Sequence, residues 1–173
     1  QNGEHISHIR HTLAHLLASI VLELYPRTKN TIGPAIDDGF YYDFEFPEGI
    51  KISDKDLTAI EEKMKSNLKS WTKFTHKEID ADTAKEHFKD NLYKLELIDE
   101  IANKGEKITL YTCGDFTDLC RGGHCQNPAK EIANDSFKLS RIAGAYWRGD
   151  EKNAMLTRIY GLAFDSKAEL DEY

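Results

Sequence analysis

Two histidines near the start of the chain have a spacing that suits a shared ligand. His11 and His15 lie four residues apart in a segment with helical periodicity, so their side chains share one face of the predicted helix. We expect both rings to face away from the main apolar stripe, beside Ala18 and Leu22, and therefore to line a cleft. A helix that merely happens to be rich in histidine would show the same pattern, so this pair alone leaves both interpretations open.

A second pair, Cys120 and His124, follows in a segment rich in glycine, aspartate and cysteine that we expect to be a loop. Gly122 and Gly123 allow backbone shapes that other residues resist. A thiol and an imidazole at this spacing can bind one metal ion. Asp118, two residues earlier, either stabilises a turn, supports such a ligand or pairs with the amine of a substrate.

Together, the two pairs indicate a functional site more strongly than either pair does alone. The H-x-x-x-H motif ends about 105 residues before the C-x-x-x-H motif begins. Two histidines from a helix with a cysteine and a histidine from a loop would form a four-ligand set that suits zinc.

The periodicity of the rest of the chain predicts an α+β fold, in which a mainly antiparallel sheet packs on a long, buried N-terminal helix with additional helices around it. The first helix is expected over about residues 5–25, with an apolar stripe that runs from Leu13 to Leu24. The remaining predictions are strands at Gly39–Phe46, 74–79, Lys107–Cys113, Ser136–Trp147 and Asn153–Phe164, and helices at Ser53–Trp71, Asp82–Phe88 and Leu92–Asn103.

Composition limits the class of protein. The chain has 173 residues with 40% apolar and 31% charged residues, which is typical of one globular domain. A net charge of −7 argues against a surface that grips nucleic acid everywhere, although the segment 138–158 is locally basic. Three cysteines without a secretion signal argue against a disulfide framework. With no signal peptide and no apolar run of membrane-spanning length, we expect a cytoplasmic protein that does not contact membranes.

Both ends suggest that the sequence is part of something longer. It starts at Gln1 rather than methionine, and Ser166 with Glu169 has the pattern of a helix start only a few residues before the last one. We therefore expect residues 1–173 to be a single domain of a longer protein, with residues 164–173 beginning a helix that leads to the next domain.

Several blocks resemble the editing domain of bacterial threonyl-tRNA synthetases, within the wider group that includes alanyl-tRNA synthetases and free-standing alanyl-editing proteins. Beside the two motifs, the blocks that carry the resemblance are Ile32–Phe44, Tyr93–Leu97, Asp118–Gly122, Ala143–Gly149 and Arg158–Gly161. Two positions depart from the family pattern. Gly123 stands where the family has proline, and Cys125 stands where it has another small or hydrophobic residue, so Cys125 is either an extra thiol ligand or a small buried residue.

The resemblance implies hydrolysis of the ester that joins serine to the 3′ end of a threonine tRNA. It implies that His11 positions a water with help from His15, and that Lys94, Asp118, Cys120 and His124 complete the catalytic group. Tyr42, Lys94 and Asp118 would also contact the substrate. The family relationship favours a site with no required metal; if zinc is bound, its ligands would be His11, His15, Cys120 and His124.

The expected partners are the 3′ end of charged tRNA and the remaining domains of a parent synthetase. We find no ATP-binding core, so we expect no ligase activity from this chain alone. Two alternatives remain open from the sequence. One is a trans-acting hydrolase of the alanyl-editing type, and the other is a non-catalytic, zinc-binding module that docks tRNA.

Overall fold

The computed structural model describes residues 2–173 and has the α+β architecture that the sequence predicts. The helices are α1 (Asn2–Leu24), α2 (Asp54–Leu68), α3 (Ala81–His87), α4 (Leu92–Asn103), α5 (Pro128–Glu131) and α6 (Lys167–Glu172). The strands are β1 (Lys29–Asn30), β2 (Ala35–Ile36), β3 (Gly39–Glu45), β4 (Thr75–Ile79), β5 (Ile108–Cys113), β6 (Phe116–Leu119), β7 (Phe137–Tyr146) and β8 (Met155–Ala163). None of these helices combines the length and the apolar character needed to cross a bilayer.

The strands form two antiparallel sheets. The larger sheet has the order β1-β3-β8-β7, with β2 paired to β3, and its central register aligns Tyr42 with Ile159. The smaller sheet has the order β4-β5-β6 and aligns Tyr111 with both His76 and Asp118. Candidate site residues therefore lie on both sheets, with Tyr42 on β3 and Asp118 on β6. The packing of the two sheets determines whether these residues come together.

The smaller sheet corrects one sequence prediction. The segment after Cys113 was predicted to be loop, but residues 116–119 form β6, with Cys113 opposite Phe116 across a two-residue turn. Gly114, at the first turn position, has a φ of +59°, which glycine adopts without steric cost. The Gly-Asp pair at this turn was the hairpin signal that could have predicted the strand.

The long helix α1 is buried, as predicted, between the larger sheet and α2. Its leucines at 13, 16 and 17 are fully buried in the main hydrophobic core. Leu24, which the periodicity placed on the same stripe, is 38% exposed because it is the last residue of the helix. Burial of the apolar stripe fixes the rotation of α1 and so sets the direction of its histidines.

Helix boundaries follow the capping residues and differ slightly from the predictions. The backbone N–H of Ser53 donates to Asp56 at 2.7 Å where α2 begins, but α2 ends at Leu68 rather than near Trp71. Asp80 is the N-cap of α3 and accepts from the backbone of Thr83 at 2.7 Å, so this helix begins one residue before the predicted Asp82.

Helix α4 lies between the two sheets and is held from both sides. The hydroxyl of Tyr93 donates to Glu45 on β3 at 2.7 Å, and the indole N–H of Trp147 donates to Glu96 at 3.0 Å. On its other face, Ile98 packs in a second, smaller core with Ile108 and Leu110 of β5. These contacts set the position of α4 relative to β3 and β6.

The basic segment 138–158 lies on β7, β8 and the turn between them. The guanidinium of Arg158 binds both carboxylate oxygens of Asp43 on β3, at 2.8 and 3.0 Å. Arg141 stacks over the ring of Tyr160 at 3.9 Å. Two arginines of this segment therefore bind groups of the same sheet.

Candidate active site

The two sequence motifs converge on one point. The Sγ atom of Cys120 lies 3.5 Å from Nε2 of His11 and 3.3 Å from Nε2 of His124. The ring centroids of His11 and His15 are 4.8 Å apart, and those of His15 and His124 are 4.7 Å apart. Helix α1 thus supplies two imidazoles, and the loop after β6 supplies the thiol and the third imidazole.

His124 is stacked between two rings. One face stacks on His11 at 4.3 Å, and the other stacks on Phe74, just before β4, at 4.5 Å. Phe74 was not identified from the sequence, because nothing in its local pattern distinguishes it from any other aromatic residue near a strand.

A backbone contact fixes the proton of His11. Its Nδ1 lies 3.2 Å from the carbonyl oxygen of Gly123. A carbonyl only accepts, so Nδ1 carries the hydrogen in this contact, and Nε2 is the ring nitrogen that lies toward Cys120.

The loop geometry depends on its glycines. Gly122 has a φ of +109°, and a Cβ added there would lie 2.8 Å from the hydroxyl of Tyr111. Only glycine accepts both the conformation and the close approach without strain. Gly123 also has a positive φ, of +87°, which lets the chain turn between Cys120 and His124.

Cys125 is a core residue. It is 1% exposed within the main hydrophobic cluster, and its backbone N–H donates to the hydroxyl of Thr12 at 3.0 Å. Burial raises the pKa of its thiol to about 12. Within residues 2–173, the group of side chains positioned to hold a metal contains the other four candidates but not Cys125.

The carboxylate of Asp118 is saturated with partners. Its Oδ1 accepts from the ammonium of Lys94 at 2.7 Å and from the backbone N–H of Leu119 at 2.8 Å. Its Oδ2 accepts from the hydroxyl of Tyr42 at 2.6 Å and lies 3.1 Å from Nδ1 of His15. A carboxylate has about four acceptor positions, and here all four face a partner.

The ammonium of Lys94 also has a partner for each of its hydrogen-bond donors. Its side chain is 2% exposed, although the sequence pattern of a lysine on a helix predicts a solvated side chain. Its ammonium donates to Asp118, to the carbonyl of Thr31 at 2.8 Å and to the hydroxyl of Tyr42 at 3.2 Å. An ammonium has three donors, so none remains for another ligand in this arrangement.

The charges of the site alternate along a chain of contacts: Lys94, Asp118, His15 and Cys120. Burial opposes the charge on Asp118, but Lys94 and His15 outweigh it and hold the pKa of the carboxyl well below its usual range. Burial likewise disfavours a charged His15, yet Asp118 and Cys120 raise the pKa of its imidazole to about 9. The charged forms of Asp118 and His15 therefore stabilise each other.

Cys120 is the second anion of this chain. Burial on its own would raise the pKa of the thiol, but contacts with His11, His124 and the charged His15 lower the pKa to about 3. Burial in turn lowers the pKa of His124 from its ordinary value. The thiol group of Cys120 is therefore surrounded by imidazoles, although the residue is only partly buried.

The same four donors fit a zinc ion. The donor atoms of His11, His15, Cys120 and His124 all lie within 4.8 Å of one another. Both ring nitrogens of His15 and Nδ1 of His124 are buried without an aligned hydrogen-bond partner among residues 2–173. An outer partner of the kind that orients a metal-bound imidazole is present for His11 in the carbonyl of Gly123, and Asp118 lies 3.1 Å from Nδ1 of His15.

A cleft of about 300 Å³ opens beside this group. His11, His15 and Cys120 line the cleft, together with the buried residues Tyr42 and Lys94. The segment Thr31–Pro34 also lines the cleft. Thr31 contributes through its backbone carbonyl, which sequence inspection cannot identify, because any residue could supply it.

Comparison with known proteins relates this chain to one family. Residues 108–160 match the family described as "Threonyl and Alanyl tRNA synthetase second additional domain". This stretch includes Asp118, Cys120 and His124 but not the α1 histidines.

Whole-chain relatives extend the match. The chain is 49% identical over 166 residues to the threonine--tRNA ligase of Thermotoga neapolitana, and 48% identical over 165 residues to that of Rubrobacter xylanophilus. It is 47% identical to the threonine--tRNA ligase of Francisella philomiragia over 175 aligned residues, which cover 100% of the chain. The chain spans about a quarter of the length of these relatives, between 25% and 27%.

Proposed function

We propose that this chain, which belongs to the threonyl-tRNA synthetase editing-domain family, hydrolyses the ester bond of threonine tRNA mischarged with serine. The observation that carries the proposal is the convergence of His11, His15, Cys120 and His124 beside one cleft. Ester hydrolysis needs a positioned water, a group that accepts its proton, and stabilisation of the oxyanion that forms on the carbonyl.

His11 is the residue that we assign to the water. Its hydrogen bond to Gly123 leaves Nε2 as an acceptor on the cleft side, and its ring is only partly buried. A neutral imidazole can accept the proton of a water that attacks the ester. Cys120 and His124 hold this ring in place through the 3.5 Å contact and the 4.3 Å stack.

His15 is the residue that we assign to charge stabilisation. Its ring lines the cleft, and the neighbouring carboxylate of Asp118 raises the pKa of the imidazole and so favours its cationic form. A positive charge held beside the cleft favours the developing oxyanion over the neutral ester.

Asp118, Lys94 and Tyr42 act as positioning residues in this proposal. Because the acceptors of Asp118 and the donors of Lys94 are already occupied, we assign to them the orientation of His15 rather than direct contact with the amino acid. Tyr42 completes the unit, since its hydroxyl donates to Asp118 and accepts from Asn30 at 3.0 Å.

We propose that no metal is required, because the alternating charges supply both an acceptor and a cation. If zinc were held by the four donors, it would lower the pKa of a bound water or polarise the ester carbonyl. The assignments of His11 and His15 stand without it.

Selectivity for serine follows from size. Serine lacks one methyl group of threonine, and a missing methyl costs a synthetic site only about 1–3 kcal/mol of binding. A second, smaller site that admits serine and rejects the extra methyl of threonine solves this problem. We propose that the cleft between the histidines and Thr31–Pro34 is that second site.

We further propose that the chain is one editing domain of a longer synthetase and that the helix α6 leads toward the next domain. Its partners would be the 3′ end of charged tRNA and the other domains of that synthetase. The net charge of −7 gives little general attraction to RNA, so those other domains would supply much of the affinity for tRNA.

The test compares the deacylation of seryl- and threonyl-tRNA that carry the threonine anticodon with that of seryl- and alanyl-tRNA of other bodies, under identical conditions. Seryl-tRNA with the threonine anticodon should be cleaved, while threonyl-tRNA with the same anticodon should persist. Preferential cleavage of a seryl- or alanyl-tRNA regardless of the tRNA body would instead indicate a trans-acting hydrolase. Tight zinc and tRNA binding without cleavage of any substrate would indicate a docking module.

A further inference from the structure

We propose that a second cleft, on the far side of His124, binds a nucleobase at the 3′ end of tRNA by stacking. This inference rests on the proposed function, because it assigns the place of the RNA that carries the ester. The second cleft, called here the aromatic cleft, has a volume of about 530 Å³. Its lining residues are Lys73, Phe74, His76, Tyr111, Gly123, His124, Cys125, Gln126 and Asn127.

Rings dominate the aromatic cleft. Tyr111 stacks on the exposed His76 across the β4-β5 pair, with centroids 5.0 Å apart and planes inclined by 23°. Tyr111 also lies 4.9 Å from the ring of His124 and 6.5 Å from that of Phe74. Single-stranded nucleic acids are bound by such partly exposed rings, because every base has a face that stacks.

The charge of the aromatic cleft suits a phosphodiester. In a chain with a net charge of −7, its described lining contains one lysine, two histidines and no acidic residue. Lys73 is exposed at the rim, where it can contact a phosphate without a desolvation cost. An acid-free, ring-lined cleft on an acidic protein favours a nucleotide over a cationic or purely apolar ligand.

The loop 120–124 contributes residues to both clefts. Gly122 and Cys120 line the first cleft, whereas Gly123 and His124 line the aromatic cleft. The ring of His124 therefore contacts both the imidazole of His11 and the wall of the aromatic cleft. A terminal nucleotide can span the loop, with its ester at the histidines and a base on the rings.

The walls of the aromatic cleft are tied together by the backbone. The N–H of Phe74 donates to the carbonyl of Gln126 at 3.3 Å, and the N–H of Ala129 donates to the carbonyl of Trp71 at 2.8 Å. The rings are thus presented by fixed segments, which lowers the entropy lost on binding.

The test uses the uncharged trinucleotide CpCpA, titrated into the chain and followed by intrinsic fluorescence and NMR. Tyr111→Leu removes the ring, and Tyr111→Phe is the matched control that keeps it. We expect Tyr111→Leu to weaken binding about tenfold or more, as for a stacked base, and Tyr111→Phe to bind within about twofold of the wild type. Because Tyr111 is partly buried, His76→Ala tests the same surface at an exposed position, and it should also weaken binding.

Salt dependence tests the phosphate contact. Lys73→Ala should reduce the slope of log affinity against log salt by about one, whereas Lys55→Ala, at the exposed start of α2, should leave it unchanged. Wild-type affinity for the trinucleotide that is unaffected by Tyr111→Leu and His76→Ala would overturn the inference, as would no binding at millimolar concentration. Trinucleotide binding that needs these rings, in a chain that cleaves no charged tRNA, would contradict the proposed hydrolysis but support the nucleobase site.

Discussion

The ammonium of Lys94 and the carboxylate of Asp118 form an ion pair of 2.7 Å in which both side chains are 2% exposed. The two residues come from different elements, since Lys94 lies on α4 and Asp118 on β6. Their contact joins the smaller sheet to the helix between the sheets, and Tyr42 extends it to the larger sheet. The orientation of His15 therefore depends on the tertiary packing of all three elements.

Breaking this ion pair should cost much stability. Replacing Lys94 with methionine leaves a buried carboxylate without its cation, so we expect Lys94→Met to lower the free energy of unfolding by about 3–5 kcal/mol. Urea denaturation followed by circular dichroism measures this loss. Lys107→Met is the matched control, because Lys107 is 78% exposed in its contact with Glu78 and should change stability by less than about 1 kcal/mol. Equal effects of the two changes would contradict the buried pair.

Cys120 should react selectively at mildly acidic pH. Its thiolate persists because the pKa is lowered to about 3, whereas burial raises the pKa of Cys113 to about 11 and that of Cys125 to about 12. Iodoacetamide at pH 6 should therefore modify Cys120 first, as read by mass spectrometry of tryptic peptides. His15→Ala should slow this modification at pH 6, since it removes the nearest fixed cation. Faster labelling of Cys113 or Cys125 would be incompatible with the charge pattern.

The same thiolate should make stability depend on pH. A folded pKa of about 3 lies below the ordinary value of about 9, so the unfolded chain binds more protons than the folded chain between these limits, and stability rises with pH. His15 has a raised pKa of about 9, so its stabilisation is complete below its ordinary value of 6.5 and is lost as pH rises toward 9. Below pH 6 the thiolate makes stability rise with pH, as do the lowered pKa values of His124 and, at more acidic pH, of Asp118. Above pH 6.5 the slopes of Cys120 and His15 oppose each other.

We therefore expect the free energy of unfolding to rise between pH 5 and 6 by up to about 1.4 kcal/mol more in the wild type than in Cys120→Ser. Urea titrations at both pH values, with a chelator in every buffer, measure the difference. Most carboxylates are already ionised in this window, and they are common to both proteins. Parallel pH profiles would rule out a thiolate in the folded state.

Much of this arrangement was predictable, and the parts that were not have a common cause. Helical spacing correctly predicted that His11 and His15 share a face of a buried helix, because burial of the leucines fixes its rotation. Nothing local predicted that Lys94 would be buried, because its acceptors come from residues at least 24 positions away, on β6, on β3 and before β2. The sequence likewise did not predict that every acceptor position of the Asp118 carboxylate would face a partner, because these partners are brought together by tertiary contacts.

Metal content separates the two chemical variants of the site. We expect purified protein to contain much less than one zinc per chain by inductively coupled plasma mass spectrometry. Dialysis against a chelator should leave the rate of seryl-tRNA deacylation unchanged, because His11 and His15 act without the ion. One zinc per chain, with activity lost on chelation and restored by added zinc, would refute the metal-free assignment.

The most direct test of the central claim is the single-turnover rate of seryl-tRNA hydrolysis by the wild type, by His11→Ala and by His5→Ala. His5 lies on α1 but is exposed, so it controls for the loss of an imidazole outside the site. The proposal predicts that His11→Ala lowers the rate by about 10²–10⁴-fold and that His5→Ala leaves it within about twofold of the wild type. A folded His11→Ala protein that cleaves seryl-tRNA as fast as the wild type would contradict it.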